Sequence, residues 1–314
     1  YKYLVPFMLV GVVAALVGLF FYGMISNNAQ SWYDLGFFNL QPAEFTKSVL
    51  ILYMAVFYSR SLKKNKSLYY NLIPLAIAGI IFVLVAMQPD LGGALIIAGI
   101  AVLLFLAIPL GKKNQLLLFK VCGIGAVLLG VAVLYGGAEL LSSKQLQRLQ
   151  FQNPCSRYTE DTGYQVCNGF IAIHNGGLLG RGLGNSTQKY LYLPEAHTDF
   201  VFPILVEELG AIVGILVLFG YLFILYRILK IGKEARGNIR NMLLCYGTFL
   251  LILLHLLVNL MGVLALIPLT GVPLPFLSYG GSFTINLILL LFVVQNVAIE
   301  NKNLKIKREM ARLA

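Results

Sequence analysis

Eight long, almost uninterrupted apolar stretches dominate the sequence and restrict its fold more than any other feature. A helix needs about 20 such residues to cross the roughly 30 Å hydrocarbon layer of a bilayer. Charged residues make up only 12% of the chain, which excludes an ordinary water-soluble domain. We predict an all-α, polytopic bundle of transmembrane helices that forms a single integral membrane domain over residues 1–314. The eight spans are predicted at approximately 4–24, 43–59, 71–87, 91–110, 115–136, 200–226, 242–267 and 281–299.

The basic residues orient these spans. Most of the 24 Lys and Arg residues lie in the connections after the second, fourth and sixth spans and in the C-terminal tail. The positive-inside rule places these segments in the cytoplasm. It also explains the net charge of +11 without a nucleic-acid partner. The long segment at about 137–199 is then extracytoplasmic, and its mixture of charges, aromatic residues and glycines favours an ordered, functional loop.

Two charged motifs lie at predicted span boundaries, where polar groups mark packing partners, pathways or sites. In residues 41–47, Glu44 falls in the first turn of a helix, near its positive dipole end. Glu44 and Lys47 share one helix face, so a functional pair is an alternative to a simple helix cap. In residues 88–93, Asp90 is well placed as an N-cap, and a structural role is favoured.

Further polar residues accompany the sixth and seventh spans. Asp199 ends the long loop and could either cap the following helix or act chemically. The adjacent Glu207 and Glu208 lie about two turns deeper, where they could bind a cation or face the bundle interior. His255 and Asn259 are four residues apart, and interhelical hydrogen bonding is favoured over chemistry for this pair.

The last outer loop and the cysteines complete the candidates. Residues 271–282 are rich in proline and glycine, which indicates rigid non-helical backbone at membrane depth. Cys155 and Cys167 both lie in the outer loop, and we hypothesise a disulfide between them because that compartment can be oxidising. Four cysteines and three histidines form no recognisable zinc motif, so no protein metal site is predicted.

Taken in order, these motifs resemble the bacterial SEDS family, which comprises FtsW, RodA and SpoVE. The segment 184–195 is more similar to the cell-division member than to the elongation member. Family members have ten spans, and the resemblance covers spans three to ten, so the chain is interpreted as the later part of a longer protein. Ala43 and the cysteine pair depart from the common pattern. The motifs that carry the resemblance are Gln41–Lys47, Gln88–Gly92, Leu193–Gly210 and Pro273–Ser282.

The resemblance implies a peptidoglycan glycosyltransferase that polymerises lipid II at the outer face of the cytoplasmic membrane, at the division septum. Lipid II is a disaccharide-pentapeptide linked to undecaprenyl pyrophosphate. The implied partners are a class B penicillin-binding protein and other membrane proteins of the divisome. Such a reaction needs a base for the acceptor hydroxyl and cations for the leaving pyrophosphate. Mg²⁺ or Mn²⁺ bridging the substrate diphosphate could contribute, although the sequence shows no metal cage.

The resemblance also assigns roles to residues. Asp199 matches the essential acid of the family and is predicted to be the general base of a single inverting transfer. Substrate binding is predicted for Lys47 and Arg148 first, with Glu44 beside Lys47. The other predicted substrate-binding residues are Arg181, Lys189 and His197. Structural roles are predicted for Asp90, Glu207, Glu208, Ser278 and Tyr279.

Two alternatives come from other functional classes. A flippase for lipid-linked precursors would use the same polar interior, but most charged candidates lie near the outer face rather than along a path through the bilayer. A divisome scaffold would only position and activate its transpeptidase. Replacement of Asp199 by Asn distinguishes these functions, because a pure scaffold tolerates it.

Overall fold

The computed structural model describes residues 4–26, 29–34, 36, 39–108 and 151–313. Most of this part of the chain is helical, which confirms the predicted all-α class. The predicted span at 115–136 and residues 137–150 of the outer loop lie outside the described ranges. The helices are α1 (Leu4–Tyr22), α2 (Pro42–Lys63), α3 (Leu68–Asn71), α4 (Ile73–Ala86), α5 (Leu91–Leu106), α6 (Asp161–Gly176), α7 (Thr187–Leu191), α8 (Val201–Glu234), α9 (Ile239–Val263) and α10 (Gly281–Leu313).

The helices identify a multi-pass membrane protein. Within the described ranges, five helical segments are long and apolar enough to cross a bilayer. They are Leu4–Tyr22, Leu68–Ala86, Val201–Glu234, Ile239–Val263 and Gly281–Leu313. The predicted spans at 43–59 and 91–110 are also helical, as α2 and α5. They are not among the five long apolar helices, because α2 contains four charged residues and α5 has only 16 residues.

Several helices differ from the sequence prediction, and three of them illustrate the reasons. Helix α10 continues well past residue 299, because its charged tail is still composed of good helix formers. Helix α9 ends at Val263 rather than 267, and Ala265 has a left-handed φ of 54° just beyond it. Helix α8 is not the continuous span predicted at 200–226: Gly210 interrupts it with the non-helical angles φ 87° and ψ 165°.

A small sheet lies in the connection between the first two predicted spans, where the sequence analysis predicted no strand. Strand β1 (Met24–Ser26) pairs antiparallel with β2 (Ala29–Asp34), which pairs antiparallel with β3 (Asn39–Leu40). The strands are too short for a clear period-two pattern, which is why hydropathy missed them.

The chain divides into two compact units. The first comprises residues 1–109, 223–254 and 281–314, and the second comprises residues 110–222 and 255–280. The prediction of one membrane domain stays a prediction. In the first unit, α2 is the central helix and packs against α1, α4, α5 and α10. This central position explains how a helix with charged residues can be buried among apolar neighbours.

The second unit contains residues 151–199, the described part of the long segment that was predicted to be extracytoplasmic. A disulfide joins Cys155 to Cys167 and ties a 3₁₀ turn at Pro154–Arg157 to helix α6. An apolar cluster lies beside this disulfide and fixes the start of α8, because buried side chains from α6, α8 and α9 meet there. Its buried members are Val166, Leu193, Ala196, Phe200, Ile204 and Val263.

Candidate functional site

Asp199 lies in a tight turn immediately before helix α8. The amide N–H groups of Thr198 and Phe200 both donate to the carbonyl oxygen of Glu195, at 3.3 and 3.1 Å. The Thr198 hydroxyl also donates to the Glu195 carboxylate at 2.6 Å. Phe200 is completely buried in the apolar cluster. The half-buried Asp199 is therefore held between a buried anchor and a hydrogen-bonded turn.

Three donors fix the backbone of this turn from the other side. The amide N–H of Tyr279 donates to the carbonyl of His197 at 2.8 Å, and the Ser278 hydroxyl donates to the carbonyl of Thr198 at 2.6 Å. The side-chain amide of Asn259 donates to the carbonyl of Asp199 at 2.9 Å. Three consecutive carbonyls thus each accept a hydrogen bond from residues 259–279.

The proline-rich residues 271–278 are themselves held by the same side chains. The Ser278 hydroxyl accepts from the amide of Leu274 at 2.7 Å, and Asn259 makes a second bond to the carbonyl of Val272 at 2.8 Å. His255 Nδ1 lies 3.3 Å from the carbonyl oxygen of Pro273. The sequence favoured interhelical bonds for His255 and Asn259, but these bonds go to loop backbone. The prolines there remove internal N–H donors and leave carbonyls that need partners.

Gly271 borders the Asp199 carboxylate. Its φ is +71°, a conformation that glycine adopts without strain. A Cβ atom at this position would stand 3.3 Å from Asp199 Oδ2. The absence of a side chain at Gly271 leaves room beside the carboxylate, and the sequence prediction did not single this glycine out as a site residue.

Glu207 and Glu208 are hydrogen-bonded and ion-paired within the second unit. Glu207 is completely buried and accepts from the Ser186 hydroxyl, from the Thr187 hydroxyl at 3.0 Å and from two amide groups at the start of α7. Its carboxylate also lies 3.9 Å from the Arg181 guanidinium. Glu208 lies 3.6 Å from the ammonium of Lys189. Two of the predicted phosphate-binding cations therefore each have an acidic neighbour.

The first unit contains the other predicted charged residues. The ammonium of Lys47 lies 2.8 Å from Glu44 Oε1, and only 1% of Lys47 is exposed. Asn286 donates to the Glu44 carbonyl at 2.8 Å. Among the described residues, Glu44 Oε2 has no hydrogen-bond partner. Burial of both charges costs desolvation free energy, which their mutual attraction offsets. Removing one partner would leave the other charge buried and uncompensated.

Asp90 lies at the start of α5 in this unit and caps it. Its carboxylate accepts from the amide of Gly93 at 2.8 Å and from the side-chain amide of Gln41 at 3.5 Å. The backbone N–H of Gln41 donates to the hydroxyl of Ser282 at 3.2 Å. These bonds connect the first helix turns of α2, α5 and α10.

The remaining predicted residues are placed as follows. Arg148 lies outside the described residues. The side chain of His197 is exposed, although its carbonyl is bound. Among the described residues, no group of three or more His, Cys, Asp or Glu side chains could hold a metal ion. The sequence prediction gave Asn259 no role in the site. A lone amide in an apolar helix needs buried partners, and this signal could have identified it.

Comparison with known proteins identifies close relatives of this chain. The family model described as "Cell cycle protein", which covers FtsW, RodA and SpoVE, matches residues 1–303. A protein of Bacillus subtilis (strain 168) named "Probable peptidoglycan glycosyltransferase FtsW" is 36% identical over 303 residues, which cover 96% of this chain and 75% of that protein. The protein of the same name from Coxiella burnetii (strain RSA 493 / Nine Mile phase I) is 38% identical over 308 residues, covering 96% and 79%.

A solved structure shares the fold. It is described as "Structural coordination of polymerization and crosslinking by a peptidoglycan synthase complex" and superposes with a TM-score of 0.73. The match has 24% sequence identity and covers 96% of this chain and 82% of the other.

Proposed function

The chain belongs to the FtsW/RodA/SpoVE family of cell cycle proteins, and from this membership we propose that it is a peptidoglycan glycosyltransferase. Its relatives carry that name at 36 and 38% identity over nearly the whole chain. The proposed substrate is lipid II, which is polymerised into glycan strands at the outer face of the cytoplasmic membrane during septal wall synthesis.

The observation that carries the proposed mechanism is the fixed turn around Asp199. Three consecutive carbonyls are each bound by a donor from residues 259–279, and Gly271 leaves space beside the carboxylate. A general base must be held in one position relative to the hydroxyl that it deprotonates. In our proposal, Asp199 takes the proton from the acceptor sugar hydroxyl as that oxygen attacks the anomeric carbon of the donor.

The proposed reaction requires a single nucleophilic displacement at the anomeric carbon of the donor. An α-linked donor gives a β-linked product by a single inversion, so no covalent sugar–enzyme intermediate is needed. The bond from the anomeric carbon to the pyrophosphate oxygen breaks as the new glycosidic bond forms. Undecaprenyl pyrophosphate leaves with the electron pair of the broken bond.

Cations would stabilise the charge of the leaving group. We assign this role first to Lys47 and Arg148, and then to Arg181 and Lys189. The 2.8 Å ion pair between Lys47 and Glu44 supports a role for Glu44 in orienting the ammonium. A divalent cation, Mg²⁺ or Mn²⁺, is proposed only as a bridge between the diphosphate oxygens, since such ions commonly bind through substrate phosphates and few protein ligands.

The proposed partner is a class B penicillin-binding protein that cross-links the new strands, together with other membrane proteins of the divisome. The related solved structure is described as a complex that coordinates polymerisation and crosslinking, which supports this choice of partner. We expect the activity to depend on this partner.

The decisive experiment measures lipid II polymerisation by the full-length protein purified with its cognate transpeptidase, with crosslinking blocked by a β-lactam. Wild type is compared with Asp199→Asn and with the control Asp161→Asn, which alters an exposed carboxylate of the same outer segment. We expect polymer from wild type and Asp161→Asn and none from an equally folded Asp199→Asn.

The other outcomes distinguish the alternative functions. Equal polymer from wild type and Asp199→Asn would remove Asp199 as the base. No polymer from any form would favour a flippase or a non-catalytic scaffold instead.

A further inference from the structure

An exposed apolar surface covers the segment 177–192 of the outer loop. The exposed fractions of Leu179 and Leu183 are 81 and 78%. Water-soluble surfaces seldom expose several large side chains so completely within 16 residues, so such a patch indicates contact with protein or membrane. We call these exposed residues the outer platform: Leu178, Leu179, Leu183, Tyr190, Leu191 and Tyr192.

Backbone bonds attach the platform to helix α8 where that helix is interrupted. The amides of Arg181 and Gly182 donate to the carbonyls of Glu207 and Glu208, both at 2.9 Å. Past the break at Gly210, the amide of Ala211 donates back to the carbonyl of Gly177 at 2.9 Å. The segment therefore satisfies backbone groups that the interruption frees, and it has a fixed position against α8.

The buried Glu207 attaches the second half of the platform. Its carboxylate binds the Ser186 hydroxyl and the amides that begin helix α7. Tyr190 and Leu191 belong to this short helix, and both are exposed. Both halves of the platform are thus fixed to the same point on α8.

The platform adjoins the exposed apolar side of α8. The amide of Ile212 donates to the carbonyl of Leu178 at 3.3 Å, so the two residues are direct neighbours. From Ile212 onward, α8 exposes Ile215, Leu216 and Phe219, as expected of a helix side in contact with acyl chains. The apolar surface therefore runs without a break from the helix onto the loop.

Helix length places the platform at the bilayer boundary. Gly210 and Arg227 are 17 residues apart (227 − 210), or about 26 Å along a helix at 1.5 Å per residue. That length is close to the roughly 30 Å hydrocarbon thickness, so basic residues at the cytoplasmic end put Gly210 near the outer boundary. Tyrosines at this level are typical of the membrane interface.

We propose that the outer platform is embedded in the outer leaflet of the membrane and that its occupant is bilayer lipid. Leu178, Leu179, Leu183 and Leu191 would contact the upper acyl chains. Tyr190 and Tyr192 would lie at the headgroup level. This inference needs only the membrane location and does not depend on glycosyl transfer.

Tryptophan scanning tests the proposal without an activity assay. Residues 1–314 contain one tryptophan, so the tryptophan-free background replaces Trp32, and any tryptophan outside these residues, by Phe. Into it we would introduce Leu183→Trp, Ile215→Trp as a lipid-facing reference, and Thr159→Trp as an exposed outer-loop control. Each full-length variant is reconstituted in phosphatidylethanolamine and phosphatidylglycerol vesicles, with and without lipids brominated at shallow acyl positions.

We expect bromine to quench Leu183→Trp about as strongly as Ile215→Trp, and to leave Thr159→Trp unquenched. Quenching of Leu183→Trp no greater than that of Thr159→Trp would overturn the proposal. Tryptophan itself favours the interface, so a second measurement uses a chain without introduced tryptophans and a lipid with a photoreactive acyl chain. Crosslinks within 177–192 and none within 156–160 would support the platform, and the opposite distribution would refute it.

Discussion

Removing the disulfide between Cys155 and Cys167 should loosen the described part of the outer loop while leaving the membrane helices folded. The two cysteines are 12 residues apart in sequence. For a loop of this size, the chain-entropy relation gives about 9.5 cal/mol/K, or about 2.8 kcal/mol at 25 °C. That free energy corresponds to roughly a 100-fold change in the equilibrium for local opening.

Loss of the disulfide should also loosen the turn around Asp199, because both adjoin residues of the apolar cluster. Cys167 follows Val166 in helix α6, and Val166 packs in the same buried cluster as Phe200, the residue after Asp199. Opening of α6 would remove one side of this cluster. The variant should therefore lose activity through a loosened Asp199 turn, although neither cysteine takes part in the reaction.

Hydrogen exchange measured by mass spectrometry provides the assay. The double variant Cys155→Ala/Cys167→Ala should speed amide exchange in α6 by about 100-fold wherever local opening limits it. Wild type under a reducing agent should show the same change, whereas Cys245→Ala, which alters a free buried cysteine in α9, should not. Unchanged exchange in α6, or equal acceleration in every helix, would refute the reasoning.

Two further substitutions test the polar contacts of the second unit. Asn259→Leu removes the hydrogen bonds to the Asp199 and Val272 carbonyls, each worth about 1 kcal/mol. The variant should have a lower melting temperature and should not polymerise lipid II. Full polymerisation by this variant would show that the turn does not need these hydrogen bonds. Glu207→Gln removes a buried charge that accepts several hydrogen bonds and should cost about 3 kcal/mol. We expect it to reduce folded yield, measured by size-exclusion chromatography, and a well-folded but inactive variant would instead indicate a role in the site.

Hydropathy predicted most of the fold because the bilayer imposes a length and composition on each span. The boundaries of α1, α4 and α5 follow from apolar runs that end at polar or helix-breaking residues. Hydropathy could not predict the interruption of α8 at Gly210. No proline lies next to Gly210 to mark a break, and the partners that make the break tolerable lie about 30 residues earlier in the chain.

The candidate site was predictable by residue type and only partly by geometry. Charged groups at span boundaries are costly, so Glu44, Lys47 and Asp199 were conspicuous in the sequence. The ion pair of Glu44 with Lys47 follows from helical spacing. The contacts of Asn259 do not, because they depend on where two distant backbone segments meet, and no periodicity within one helix contains that information.

The backbone around Asp199 is held by hydrogen bonds from a distant part of the chain. Donors from residues 259–279 engage the carbonyls of 197–199, so the main chain is fixed by groups other than the carboxylate. Beside the carboxylate, Gly271 contributes no side chain, and a Cβ there would approach Oδ2 to 3.3 Å. The hydrogen bonds to the backbone hold the turn in one position, as a general base requires, so the proline-rich residues 271–278 and helix α9 contribute to the proposed chemistry by positioning Asp199.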